Sequence, residues 1–125
     1  MKIRKEDLPV IMEAPGSTMR SISIGGITMN FNELSKGTDF TPLLRGLKND
    51  LCHCPHWGYI QEGKILLKYG DEKEETATAG DLFYWPAGHT AIVLEDAKFI
   101  EFSPEKEYAK VITHVTKIIA QMEAK

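Results

Sequence analysis

Between Ser17 and Ser103 the chain is written in short runs of alternating apolar and polar residues, each closed by turn-forming residues. That period restricts it to a fold made mainly of β-strands, because side chains two apart on a strand share a face. Ile22 and Ile24, then Ile27, Met29 and Phe31, alternate with Ser, Thr and Asn on either side of Gly25-Gly26. Ile65, Leu67 and Tyr69 alternate with their neighbours in the same way. Gln61-Glu62-Gly63-Lys64 and Gly70-Asp71-Glu72-Lys73 read as tight hairpin connections. Polar residues from Glu74 to Ala79 suit an exposed strand, and Leu82 to Trp85 forms a strand that ends at Pro86-Ala87-Gly88. Two further strands are predicted over Thr90–Glu95 and Lys98–Phe102, giving about eight in a β-sandwich or barrel over residues 17–103. Leu34 to Leu51 has no clean period and reads as a loop or a short edge strand.

The period changes after Ser103. Tyr108, Val111, Ile112, Val115, Ile118, Ile119 and Met122 recur at helical spacing, which predicts a terminal helix over about 104–124. Ser103 is the expected N-cap, with Pro104 at the first helical position. The apolar stripe is expected to cover a sheet face or a partner subunit.

At 125 residues, with 42% hydrophobic and 26% charged residues, the chain is expected to form one globular domain. A net charge of −3 gives no footprint for nucleic acid or an anionic membrane. No apolar run is long enough for a spanning helix and no secretory signal is read at the N-terminus, so the expected location is cytoplasmic. Cys52 and Cys54 are too close to cross-link the chain usefully and are expected to be thiols, either buried or engaged in ligation.

The chemistry concentrates in Cys52-His53-Cys54-Pro55-His56-Trp57 and at His89, which follows Pro86-Ala87-Gly88. Thiolate and neutral imidazole are good donors for zinc or iron when they converge on one point. On an extended strand Cys52, Cys54 and His56 share a face, while His53, Trp57 and Tyr59 share the other. If the even-numbered set faces inward, Cys52 and His56 meet His89, with Asp50 at the rim. Pro55 marks a bulge or edge, and a bulge there would bring His53 in instead.

The stretch from Gly80 to Gly88 resembles the second motif of the cupin superfamily: a glycine, five residues, then proline, any residue and glycine. The resemblance covers roughly Gly25 to Ser103 and is to small single-domain bacterial cupins. Aligning Gly63 with the last glycine of the first cupin motif sets His56 at its glutamate position and the paired histidine positions near Asp50 and Cys52. Ala91 stands where the second motif normally has a histidine, and His89 lies two positions earlier.

The resemblance implies an all-β, cupin-type double-stranded β-helix or jelly-roll barrel with a C-terminal α-helix. It also implies that either one divalent ion sits in the barrel on redistributed ligands or the metal is lost; on the strand-face reading the ion, zinc or iron by ligand softness, is held by Cys52, His56 and His89, with Asp50, Cys54, Trp57 and Tyr84 about the pocket. The corresponding function is action on an oxygen-rich small molecule of the dioxygenase, isomerase or decarboxylase type, in a homodimer. The alternative is a metal-free ligand-binding or sensor-type cupin in which His56 and His89 hydrogen-bond the ligand. A thiol switch at Cys52 and Cys54 is a third reading, opposed by their apolar surroundings.

Overall fold

The computed structural model describes residues 1–124. Seven strands, β1 (Val10–Ala14), β2 (Ser17–Ile24), β3 (Ile27–Leu34), β4 (His56–Tyr69), β5 (Glu74–Thr78), β6 (Leu82–Trp85) and β7 (His89–Pro104), precede one helix, α1 (Glu105–Glu123). All neighbouring strands are antiparallel, in the order β1-β2-β3-β7-β4-β5, and β6 pairs with the first part of β4. The expected alternation is therefore realised, with β1 added at the front.

Two predicted turns are absent, and their absence shapes the molecule. Gln61 to Lys64 does not turn the chain, since β4 runs through it as one strand with register shifts on either side of Glu62 and before Ile65. The separate strands predicted over Thr90–Glu95 and Lys98–Phe102 are likewise one long β7. Gly63 sits at φ +91°, and a Cβ there would lie 2.3 Å from the Asp96 carbonyl oxygen. Bulged residues bend a strand and increase its twist, so β4 and β7 curve together where Gly63 meets Asp96 and Ala97.

That curvature rolls the sheet. His56 opens β4 opposite Trp85, whereas His89 pairs with Tyr69 at the other end of β4. The two imidazoles nevertheless approach to 5.1 Å between ring centroids across the interior. Residues 35–51 are strapped along the start of β7 rather than free: Phe40 N–H donates to the Ala91 carbonyl, and Val93 N–H to that of Thr38. Short 3-10 turns at Thr41–Leu44 and Lys48–Asp50 carry this strap to Cys52.

One core cluster joins Ile60, Ile65, Leu67, Phe83, Trp85, Val93 and Phe99 inside the roll. Each such side chain contributes about 1.5–3 kcal/mol by leaving water. A second cluster joins Leu44, Cys52 and Cys54 to Tyr108 and Val115 of α1, with Val111, Ile112 and Ile119 packed against it. The helical stripe thus packs within the chain. Ser103 is not the helix N-cap: it is the buried penultimate residue of β7, Pro104 occupies the cap position, and the Ser103 hydroxyl is engaged elsewhere. Among the described residues no helix is long and apolar enough to cross a membrane.

Candidate metal centre

Cys52, His56 and His89 are buried, and one potential ligand atom from each lies within 4.8 Å of the others. Three elements deliver them. His56 is the first residue of β4 and His89 the first of β7. Cys52 is clamped to His89 by an isolated bridge, its N–H donating to the His89 carbonyl at 2.8 Å while His89 N–H returns to the Cys52 carbonyl at 3.1 Å.

The hydrogen bonds show which nitrogens turn toward the cluster. His89 Nδ1 lies 2.7 Å from the Pro86 carbonyl, which only accepts, so Nδ1 carries the proton and Nε2 the lone pair. His56 Nδ1 lies 2.6 Å from Ser103 Oγ, and its Nε2 is 3.7 Å from Cys52 Sγ. A tetrahedral ion with ordinary Zn–S and Zn–N bonds separates sulfur from nitrogen by about 3.6 Å, so this pair already has the spacing of two ligands on one ion. Holding the far nitrogen of each ligating histidine on a backbone or side-chain oxygen is the usual second shell of such a site.

Burial sets the electrostatics. It lowers the His56 pKa to about 3, assisted by neighbouring His89, and lowers that of His89 as well, so both rings are neutral. Burial pushes the Cys52 and Cys54 thiols up to about 12, opposed at Cys52 by a backbone hydrogen bond at Cys54, and this removes the basis for a thiol switch. Glu101 is raised to about 8 by burial alone. Its Oε1 lies 3.6 Å from His56 Nδ1, yet with both groups neutral this is not an ion pair.

A cavity of about 80 Å³ opens onto the cluster. Most of its wall is apolar, including Met12, Leu34, Phe40, Trp85, Phe99 and Ile112, while Glu101, Asn32, Thr90 and the three donors supply the polar part. Tyr108 also lines it, with its hydroxyl accepting from Asn30 Nδ2.

The remaining expected pocket residues lie elsewhere. Asp50 is exposed in its 3-10 turn and accepts from Gly46 N–H at 3.0 Å, because left-handed backbone at Asn49 and Asp50 turns the strap outward. Cys54 is fully buried, but in the helix-side cluster rather than on the cavity wall. Trp57 and Tyr84 are cross-strand partners stacked on the outer face, 47% and 52% exposed, because each alternates with the inward-facing His56 or Trp85. His53 does not enter through a bulge; its Nε2–H donates to the Lys48 carbonyl at 2.7 Å.

Glu101, Ser103, Asn32 and Tyr108 were not expected at the site. The rule that apolar residues face inward fails on this half of the sheet. Here Asn30, Asn32, Glu101 and Ser103 are buried inward, while Met29, Phe31, Ile100 and Phe102 point out. The Asn30/Asn32 and Glu101/Ser103 pairs, each two apart, are the signal that a polar interior leaves in the sequence.

The sequence matches no family model, and a search of curated proteins finds no match. Solved structures do match. An RmlC-like cupin from Shewanella frigidimarina superposes with a TM-score of 0.58 at 17% identity, over 82% of this chain and 88% of that one. The polyketide cyclase RemF from Streptomyces resistomycificus gives 0.58 at 18% identity, over 83% and 78%. Bacillus subtilis oxalate decarboxylase, a protein with Mn(II) centres, gives 0.59 at 19% identity, over 79% of this chain but only 28% of its own. The rolled antiparallel sheet, its bent long strands and these superpositions together establish that the chain has the cupin fold.

Proposed function

We propose that the chain holds one divalent metal ion on Cys52 Sγ and the Nε2 atoms of His56 and His89, and that it acts on a small molecule bound in the adjoining cavity. The observation that carries this reading is the donor set: three buried side chains of ligating type converge, and both histidines have their other nitrogen committed to an oxygen. A thiol among the donors favours zinc or iron over a harder ion. When bound, such an ion supplies Lewis-acid polarisation of a substrate oxygen. Loading it requires Cys52 to release its proton.

The chain's own residues define what enters. A cavity of about 80 Å³ admits only a small molecule. Its wall narrows the oxygen-rich expectation to one end of that molecule. The oxygen-bearing end lies toward Cys52, His56 and His89, where Glu101 and Tyr108 add a carboxyl and a phenol, and the apolar body lies against Leu34, Phe40 and Phe99. Cupin-fold neighbours with decarboxylase and cyclase activities make an enzyme of this general kind the leading reading.

A metal-free ligand-binding domain is the second reading. It is favoured by the neutrality of both histidines and by the hydrogen bonds each already makes without an ion. Cobalt(II) titration separates the two. The metal reading predicts a saturable thiolate-to-cobalt charge-transfer band that is absent in Cys52→Ser. The absence of any such band in the wild type, with the fold intact, overturns it.

A further inference from the structure

The polar corner of the cavity holds no cation. Among the described residues neither Lys nor Arg lines it, and Glu101 is its single carboxyl. The imidazoles do not make up the lack, since Nδ1 of each is committed to an oxygen and Nε2 of each belongs to the proposed ion. What remains is a short set of neutral groups. The Tyr108 hydroxyl accepts from Asn30 Nδ2 and so keeps its own proton to give. The Thr90 hydroxyl is already paired with that of Thr41 at 3.0 Å. Leu34, Phe40, Val93, Phe99 and Ile112 make the rest of the wall apolar.

The charge of a ligand follows from this inventory. A carboxylate taken out of water needs a cation or several converging N–H groups, and its burial without them is strongly disfavoured. Glu101 adds to the penalty, because a ligand carboxylate would be a second acid in the same corner. A bound ion does not alter the count. Cys52 binds it as a thiolate, and Glu101, with Oε1 3.6 Å from His56 Nδ1, stands where a carboxylate balances the second positive charge. An ammonium group fares no better, since it would face the ion itself.

Resting on the reading of this cavity as the substrate site, we infer that its ligand is uncharged: a compact carbonyl or hydroxyl compound with an aliphatic body, and neither a carboxylate nor an amine. Its oxygen accepts from the Tyr108 hydroxyl, and its aliphatic part fills the space against Leu34, Phe40 and Phe99. The inference separates this chain from oxalate decarboxylase, with which it shares a fold. Oxalate carries two carboxylates, and this wall offers no cation for either. A common scaffold therefore serves ligands of different charge, as wall residues rather than strands select them.

Three probes with the same branched body and different charge test this: isobutyramide, isobutyrate and isobutylamine. Each is titrated at neutral pH, by saturation-transfer NMR, into chelated protein and into cobalt(II)-loaded protein. The amide is expected to bind both forms at least about tenfold more tightly than either charged probe. A charged probe that binds as tightly as the amide, or an amide with no saturable binding to either form, overturns the inference. Ile112→Trp fills the cavity from α1 and should abolish amide binding; binding that persists in the folded variant lies elsewhere and also overturns it. Should that variant lose its circular dichroism signal, the wild-type order decides. The two readings fail separately. A chain that takes no cobalt yet prefers the amide sinks the metal reading alone, whereas a cobalt-loaded chain that prefers isobutyrate sinks this inference alone.

Discussion

The hydroxyl of Ser103, at the end of β7, lies 2.6 Å from Nδ1 of His56 at the start of β4 and leaves Nε2 facing Cys52. One side-chain oxygen thereby sets the orientation of a candidate ligand. Ser103→Ala removes that contact while keeping the strand. Metal affinity is expected to drop about 10–100-fold with the fold retained, as for other outer-shell partners of ligating histidines. Competition titration with a chromophoric chelator measures this, and an unchanged affinity contradicts the assigned role.

The pH response of the metal-free protein has two limbs of opposite sign. His56 titrates near 6.5 when unfolded and near 3 when folded, so its contribution to stability is present above 6.5 and is lost as pH falls toward 3. Glu101 has its folded pKa raised from 4.5 to about 8, so its contribution is present below 4.5 and is lost as pH rises toward 8. Glu101→Gln cannot ionise and should abolish the second limb alone. Urea denaturation of chelated protein is expected to show the variant gaining on wild type steadily from pH 4.5 to 8; a constant difference contradicts the burial of an ionisable carboxyl.

The bend that closes the roll depends on Gly63. A methyl group there would meet the Asp96 carbonyl oxygen at 2.3 Å on a backbone already at φ +91°. Gly63→Ala is therefore expected to cost about 3 kcal/mol or more, through strain and displacement of the facing strand. Gly25, at φ +63° with nothing within 4 Å of the added carbon, should lose only about 1–2 kcal/mol. Equal losses in denaturant melts would mean that the bend does not govern the fold.

Core packing gives a fourth expectation. Leu67 is completely buried inside the roll beside Ile65 and Val93. Leu67→Ala should destabilise by about 2–5 kcal/mol without altering metal stoichiometry, since Leu67 touches the core and not the donors.

Much of this was legible in the sequence because alternation is a local signal. The strands around Ile22, Ile65 and Phe83 and the terminal helix follow from residue type and spacing, whereas the convergence of Cys52, His56 and His89 is one of two readings, conditional on the inward face and on the second motif delivering His89. The misreadings have one physical source each. Gly63 reads as a hairpin turn because positive φ serves a bulge as well as a turn, and only the partner strand distinguishes them. Trp57 and Tyr84 read as pocket residues because aromatic rings usually seek the interior, whereas here their strand neighbours His56, Phe83 and Trp85 take the inward positions. Glu101 and Ser103 went unread because their role depends on a residue more than 40 positions away in sequence, His56. Asp50 was drawn to the site by alignment of Gly63, and the strap from Phe40 to Leu51 carries it to the surface instead.

The central claim, that Cys52, His56 and His89 jointly hold one ion, is tested most directly by elemental analysis of protein purified without an affinity tag. About one equivalent of zinc or iron per chain is predicted for wild type, with near-complete loss in His89→Ala and in Cys52→Ser at unchanged circular dichroism. Wild-type protein free of metal after reconstitution with either ion, or variants that retain a full equivalent, would contradict it.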